Sequence, residues 1–434
     1  MSSTAEVRLW GRMIGAVSIG DGEATAAFEY DPDFVRSGIE IAPLTMPLSG
    51  RVYAFPELSR QTFYGLPGLL ADSLPDRFGN ALINTWLATQ GRTPESFDAV
   101  ERLCYTGERG MGALEFIPAI GPRATQTSQI QIDQLVDLAS QVLGHRDDMK
   151  VSFSAADREQ ALVDILRVGT SAGGARAKAV IAWNPVTEEV RSGQLPSDSG
   201  FEYWLLKFDG VRGNRDKELE DPQDYGVIEY AYAHMAKDCG IDISECRLLE
   251  ENGRRHFMTR RFDRLAGGEK LHMQSLCALA HYDFNMAGAY SYEQAMLVIR
   301  QLGLPMHAIE QQFRRMVFNV VARNQDDHVK NIAFLMDKAG NWSLSPAFDV
   351  TYSFNPTGAW TSTHQMTLNG KRDAFTLGDF KACARVVSMK RGRAETIVAE
   401  VQEAVSRWRS YAEAVGVPTT MQHRIERTLR LGGF

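Results

Sequence analysis

Three short β-rich segments stand ahead of a region that reads as mostly helical from about residue 265. They are "KAVIAW" (178–183), "YWLLKF" (203–208) and "RHFMTRRF" (255–262). That order constrains the fold more than any other feature. It predicts an α+β chain in which a β-rich lobe precedes a helical one. Between the last two strands, "YGVIEYAYAHMAKDCG" has the helical period and a stop at Gly240. Further on, "HAIEQQFRRMVFNVVAR" places Ile309, Phe313, Met316, Val317 and Val320 on one stripe, the face of a buried helix. Directly after it come "ARNQDDHVKN" (322–331), a strand "IAFLMD", a turn "KAGN" and a second strand "WSLSPAFD".

At 434 residues the chain exceeds one ordinary core, so two or three domains or lobes are expected. Residues 6–30 alternate apolar and polar side chains around "GDGE", the pattern of an antiparallel hairpin opening a small domain. "YGLPGLLADSLPDRFGNALINTWLATQG" reads as helices, with Ser73 and Asp76 as candidate N-caps around Pro75. The polar, Gly-Pro-punctuated "AIGPRATQTSQI" (119–130) reads as a linker. The expected division is a small α+β domain over 1–120, a β-rich lobe with a Gly-rich turn over 125–262, and a helical lobe over 263–434.

Composition narrows the function classes. A formal charge of −7 argues against a sequence-independent nucleic-acid binder, whose affinity would rest on Lys and Arg against phosphates. The five cysteines are scattered, with no CxxC pair, so neither a zinc site nor a disulfide framework is indicated. The N-terminus lacks a signal-peptide layout, and no run reaches the roughly 18 apolar residues of a membrane span. A cytoplasmic protein with reduced thiols and no membrane partner is expected.

The chemistry-bearing residues fall in a fixed order. In "TSAGGARAK" (170–178), consecutive small residues let backbone N–H groups converge on an anion, and Lys178 adds charge. Alone this is an ordinary turn, and it is not a Walker A motif. Lys207 interrupts an apolar strand, and Glu229 on the next helix could orient it by an ion pair. Asp326 and Asn331 are five residues apart, a spacing that suits a carboxylate accepting a hydroxyl proton beside an amide oxygen on Mg²⁺. His328 and Lys330 lie between them, within reach of phosphate oxygens. Asp349 follows the hairpin, where a second metal ligand would stand, although no glycine follows Phe348 and Asp349 directly. A metal-dependent hydrolase is the rival reading of "DDH", but most of the other histidines do not cluster near it. Three features read as structural: "GERGMG" (107–112) as a loop contact in the first domain, Trp183, Trp204 and Phe208 as core, and "KRGRAE" (390–395) as a solvated helix start.

Taken together, "GDGEATAAFEYD", "LLADSLPDRFG", "TSAGGARAKA", "YWLLKFDG", "MTRRFDR", "RRMVFNVVARNQDDHVKNIAFL" and "LSPAFDVTYS" make the chain resemble the HipA family of serine/threonine-kinase toxins over nearly its whole length. The resemblance implies a small N-terminal α+β domain followed by a bilobed protein-kinase-like domain with a mostly helical C-lobe. It also implies ATP and Mg²⁺ as cofactors. It makes Asp326 the catalytic base, and Asn331 and Asp349 the metal ligands. Nucleotide contacts would come from Gly173, Gly174, Ala175, Arg176, Ala177, Lys178, Lys207, His328, Lys330, Asn331 and Asp349, with Arg260, Arg261 and Phe262 at an adenine hinge. Ser171 matches the family's autophosphorylated serine, with Thr170 as a neighbouring acceptor. The family pairs with a helix-turn-helix HipB-like antitoxin, binds operator DNA through it, and phosphorylates aminoacyl-tRNA synthetases. A small-molecule kinase on the same scaffold and a catalytically idle corepressor are the alternatives.

Overall fold

Alternating apolar residues near the N-terminus pair into an antiparallel sheet. In a computed structural model, which describes residues 2–121, 130, 132–144, 165–166, 176–193, 200–211 and 224–432, this sheet has the order β4-β3-β2-β1-β5. Its strands are β1 (Ser3–Leu9), β2 (Arg12–Ile19), β3 (Ala27–Tyr30), β4 (Val52–Tyr53) and β5 (Leu114–Ile117). The expected hairpin around "GDGE" is β2–β3, with Ser18 opposite Ala27. A second, tighter hairpin joins β1 to β2 through Trp10 and Gly11, both at positive φ (51° and 77°), the geometry of a two-residue primed turn. A tryptophan in that position hid the turn from the sequence. Its ring nitrogen donates to the Lys270 carbonyl at 2.7 Å, tying the turn to the distant chain.

The second sheet has the order β7-β6-β8-β10-β9. It comprises β6 (Lys178–Trp183), β7 (Val190–Ser192), β8 (Glu202–Lys207), β9 (Cys246–Glu251) and β10 (Arg254–Arg260). Three of these are the expected strands. The expected helix is α2 (Tyr225–Asp238), which follows α1 (Arg77–Thr89) among the helices that matter here and ends ahead of Gly240 at φ 74°. The buried helix is α3 (Met306–Val321), with Ile309, Phe313, Met316, Val317 and Val320 all at most 2% exposed. A third sheet, β11 (His272–Ser275), β12 (Ala333–Met336) and β13 (Trp342–Leu344), carries the expected hairpin after residue 331. The chain then runs without regular structure to Thr376, before helices Leu377–Val386, Arg393–Ser406, Trp408–Ala414 and Thr419–Glu426.

The cores do not follow the chain. Val7, Phe28 and Phe116 of the first sheet belong to one continuous buried cluster with Leu276, Phe313 and Val401 of the helical lobe. Phe78 and Leu82 of α1 lie instead in the cluster beneath the second sheet, with Ala179, Trp204, Leu206 and Met258. Trp183 and Phe208 belong to that core too, as the sequence suggested. The start of α1 is set by Asp76, whose Oδ1 accepts the Gly79 N–H at 2.7 Å; Ser73 does not cap it.

The "GERGMG" loop makes a contact the sequence did not suggest. The Gly112 N–H donates to Asp263 Oδ2 at 2.7 Å, and Arg264 donates to the carbonyls of Gly110 (3.2 Å) and Gly112 (3.0 Å). Among the described residues, no helix is long and apolar enough to cross a membrane.

Candidate active site

Strand β8 ends at Lys207, and α2 carries Glu229 one turn into the helix, facing it. The expected ion pair forms: Lys207 Nζ meets Glu229 Oε1 at 2.5 Å. The same ammonium meets Asp349 Oδ1 at 2.5 Å, from a segment 142 residues later. All three groups lie largely out of water. Burial favours the neutral forms, but the two carboxylates outweigh it and hold the lysine above its ordinary pKa. Burial also pushes the Asp349 carboxyl up, but the charges of Lys207 and Lys178 prevail and bring it down to about 2. Asp349 has φ 52°, a left-handed backbone that Asp tolerates better than most residues.

Lys178 opens β6 directly opposite Lys207 in the β6–β8 register. Its ammonium is buried, 3.6 Å from Asp76 Oδ2. Arg176 lies over the Tyr225 ring at 3.7 Å, with its guanidinium 3.8 Å from Glu229 Oε2. Ala177 is buried beneath the sheet. Thr170, Ser171, Gly173, Gly174 and Ala175 lie outside the described residues.

The crowded loop after α3 divides its two aspartates between two environments. Asp327 is buried and accepts from Tyr292 Oη (2.5 Å), the Gln365 N–H (2.7 Å) and His364 Nδ1 (2.8 Å). Burial opposes its charge, but His364 and these donors hold the carboxyl below its ordinary range. Asp326 stays accessible. Its Oδ1 accepts the Trp360 indole N–H at 2.7 Å, with His328 Nε2 at 3.8 Å. Asn331 donates its Nδ2 to the Asp326 carbonyl at 2.8 Å, which leaves its amide oxygen out of that bond. His328, Asn331 and Asp349 line one recess. Lys330 reaches over the Phe284 ring at 5.3 Å.

One carboxylate and one amide oxygen are a donor set that suits a hard divalent cation whose other ligands are phosphate oxygens and water. No cluster of three or more His, Cys, Asp or Glu able to hold a metal by itself occurs among the described residues. The arrangement fits a divalent cation that is also held by phosphate oxygens.

The segment 260–262 divides. Arg260 reaches Glu202 and Glu245, each at 3.5 Å, on the surface. Arg261 donates to Asp263 at 2.9 and 2.7 Å and to the Gly110 carbonyl at 3.4 Å, and its main-chain N–H donates to the Tyr203 carbonyl. Phe262 packs on Phe348, beside Asp349. The guanidinium of Arg261 thus serves the contact with the N-terminal domain. Sequence reasoning missed Asp327, Tyr292, His364 and Trp360. The doubled aspartate of "DDH" was the one available signal, since two adjacent acids beside an apolar helix cannot share one environment.

Comparison with known proteins agrees with this architecture. Residues 170–408 match the HipA-like C-terminal domain, and residues 5–117 match the HipA N-terminal domain. A chain in the solved Shewanella oneidensis MR-1 toxin–antitoxin complex of HipA, HipB and its operator DNA superimposes with a TM-score of 0.69. It is 16% identical, and the match covers 98% of this chain and 95% of that one. The fold is thus an N-terminal sheet domain followed by a kinase-like bilobed domain. A Haemophilus influenzae protein named "Putative kinase" is 27% identical over 188 residues, 38% of this chain. The chain spans 54% of that relative's length.

Proposed function

The chain belongs to the HipA family, and on that premise we propose that it is an ATP- and Mg²⁺-dependent protein serine/threonine kinase, the toxin of a toxin–antitoxin module. The observation that carries this reading is one buried ammonium, Lys207, held between Glu229 and Asp349. Such a lysine binds nucleotide phosphates, and its helix-borne carboxylate keeps it aimed. Arg176 and Lys178 extend the positive edge toward the Gly-rich turn.

Asp326 accepts the proton of a substrate hydroxyl while that oxygen attacks the γ-phosphorus and ADP leaves. Asn331 and Asp349 would hold Mg²⁺, which when bound neutralises charge on the phosphate oxygens. Asp327, pinned by three donors, keeps the loop in register so that Asp326 and Asn331 stay together. Lys330 and His328, on the same loop as Asp326, would meet the transferred group.

The finer parts of the reading rest on the family. The protein substrate is an aminoacyl-tRNA synthetase. A HipB-like helix-turn-helix antitoxin neutralises the kinase, and operator DNA is bound through that antitoxin; the fold match to a chain from a HipA–HipB–operator complex supports this. Ser171, or Thr170 beside it, is autophosphorylated, and a phosphate of nearly two charges next to the nucleotide phosphates silences the site.

Phosphosite mass spectrometry after incubation with Mg-ATP tests the reading. Phosphate on Ser171 or Thr170 in the wild type, absent from Asp326→Ala, is the expected outcome. Equal phosphorylation of both proteins overturns the assignment of Asp326.

A further inference from the structure

We propose that Asp76, contributed by the N-terminal domain, is a positioning residue of the nucleotide site: it neutralises Lys178 and fixes its ammonium at the phosphate-facing edge of β6. The proposal rests on the phosphoryl-transfer reading and deepens it, because it makes the site a joint product of both domains.

The argument begins with register. Lys178 and Lys207 are directly opposite on antiparallel strands, so their side chains leave the same face of the sheet as neighbours. Two buried ammonium groups side by side repel, and each needs a counter-charge. Lys207 has Glu229 and Asp349, from α2 and from the segment after β13. Among the described residues Asp76 brings a carboxylate to within 3.6 Å of Lys178, and side chains of both are at most 4% exposed. That distance exceeds a hydrogen bond, so the attraction is that of a charge across a short gap.

Asp76 is also held rigidly. Its Oδ1 is taken by the Gly79 N–H, which points Oδ2 at the lysine. The helix it caps sends Phe78 and Leu82 into the same core as Ala179 and Leu206, the strand neighbours of the two lysines. Cap and strand therefore move together.

Capping alone does not require this charge. An uncharged Asn or Ser would satisfy Gly79 equally well. Burial pushes the Asp76 carboxyl up to about 6 and the Lys178 ammonium down, so the fold holds this pair against desolvation. The "LPDRFG" stretch (74–79) thereby acquires a role that its helix-capping pattern did not reveal.

The test uses the full chain. Asp76→Asn and Asp76→Ser both keep a cap and remove the charge, and Lys178→Met removes its partner. Titration calorimetry with Mg-ATP measures affinity, and calorimetric Tm reports folding. Either capped variant is expected to bind Mg-ATP about tenfold more weakly, the loss of one charge-orienting contact. In the Lys178→Met background the Asp76 substitution is expected to add nothing, a non-additivity that a merely structural residue would not give. Unchanged affinity in both folded Asp76 variants, or losses that multiply in the double variant, overturns the proposal alone. Wild-type protein that binds no nucleotide overturns the phosphoryl-transfer reading, and this proposal with it.

Discussion

The indole N–H of Trp360 donates to Oδ1 of Asp326 at 2.7 Å, so the carboxylate assigned as base has one of its oxygens already engaged. The indole thereby selects Oδ2 as the oxygen free to take a hydroxyl proton. Trp360→Phe keeps the ring and removes the donor. A hydrogen bond to a charged group contributes about 1.5 kcal/mol, so kcat is expected to fall about tenfold with KM for ATP unchanged. Steady-state phosphorylation kinetics measure both. A rate at or above wild type would mean that the indole obstructs the base rather than orienting it.

Asp263 joins the two halves of the chain. It is fully buried, receives Arg261 and Arg264 at 2.7 Å each, and accepts the Gly112 N–H. Asp263→Asn leaves two buried guanidinium groups short of their counter-charge. Such a loss typically costs about 3–5 kcal/mol. Urea unfolding should show a midpoint lowered accordingly, and a change within error would show that water replaces the carboxylate there.

How much of this was legible in the sequence depended on whether a residue's partner was local. Strands β6, β8 and β10, helix α3 and the cap at Asp76 follow from periodicity and capping chemistry, which act over a few residues. The Lys207–Glu229 pair was reachable because strand and helix are adjacent along the chain. The contacts of Asp326 with Trp360, of Asp327 with His364, and of Gly112 with Asp263 join residues 34, 37 and 151 positions apart. The stretch from 345 to 376 has no period that would reveal where it folds back. The shared core of α1 and the second sheet was hidden for a similar reason, since an apolar helix face does not name the sheet it covers.

Replacing Lys207 by Met separates two roles of one side chain. It leaves Glu229 and Asp349 without the ammonium held between them, and it removes the phosphate-binding group. Nucleotide affinity is expected to fall below detection, and Tm should drop, since two carboxylates are left in a low-dielectric site. Adding Glu229→Gln is expected to restore part of the Tm but none of the binding. Calorimetry on the two variants reports both quantities. A full return of binding would show that Lys207 serves only the fold.

Asp349 and Asp76 should give opposite slopes of stability with pH. Asp349 is held at about 2, below its unfolded value near 4, because Lys207 and Lys178 outweigh its burial. The unfolded chain therefore binds the proton more readily, and stability rises with pH between about 2 and 4. This contribution is about 2 kcal/mol, present above pH ~4 and lost as pH falls to the folded value. Asp76 is raised to about 6 by desolvation that Lys178 only partly offsets, so here the folded chain binds the proton more readily. Its contribution has the reverse sign: stability falls as pH rises from about 4 to about 6. Urea unfolding from about pH 2 to pH 7 on wild type, Asp349→Asn and Asp76→Asn resolves the two. Asp349→Asn should flatten the acid limb, and Asp76→Asn should flatten the decline between pH 4 and 6. An unchanged profile in Asp76→Asn would place its charged form in contact with water rather than with Lys178.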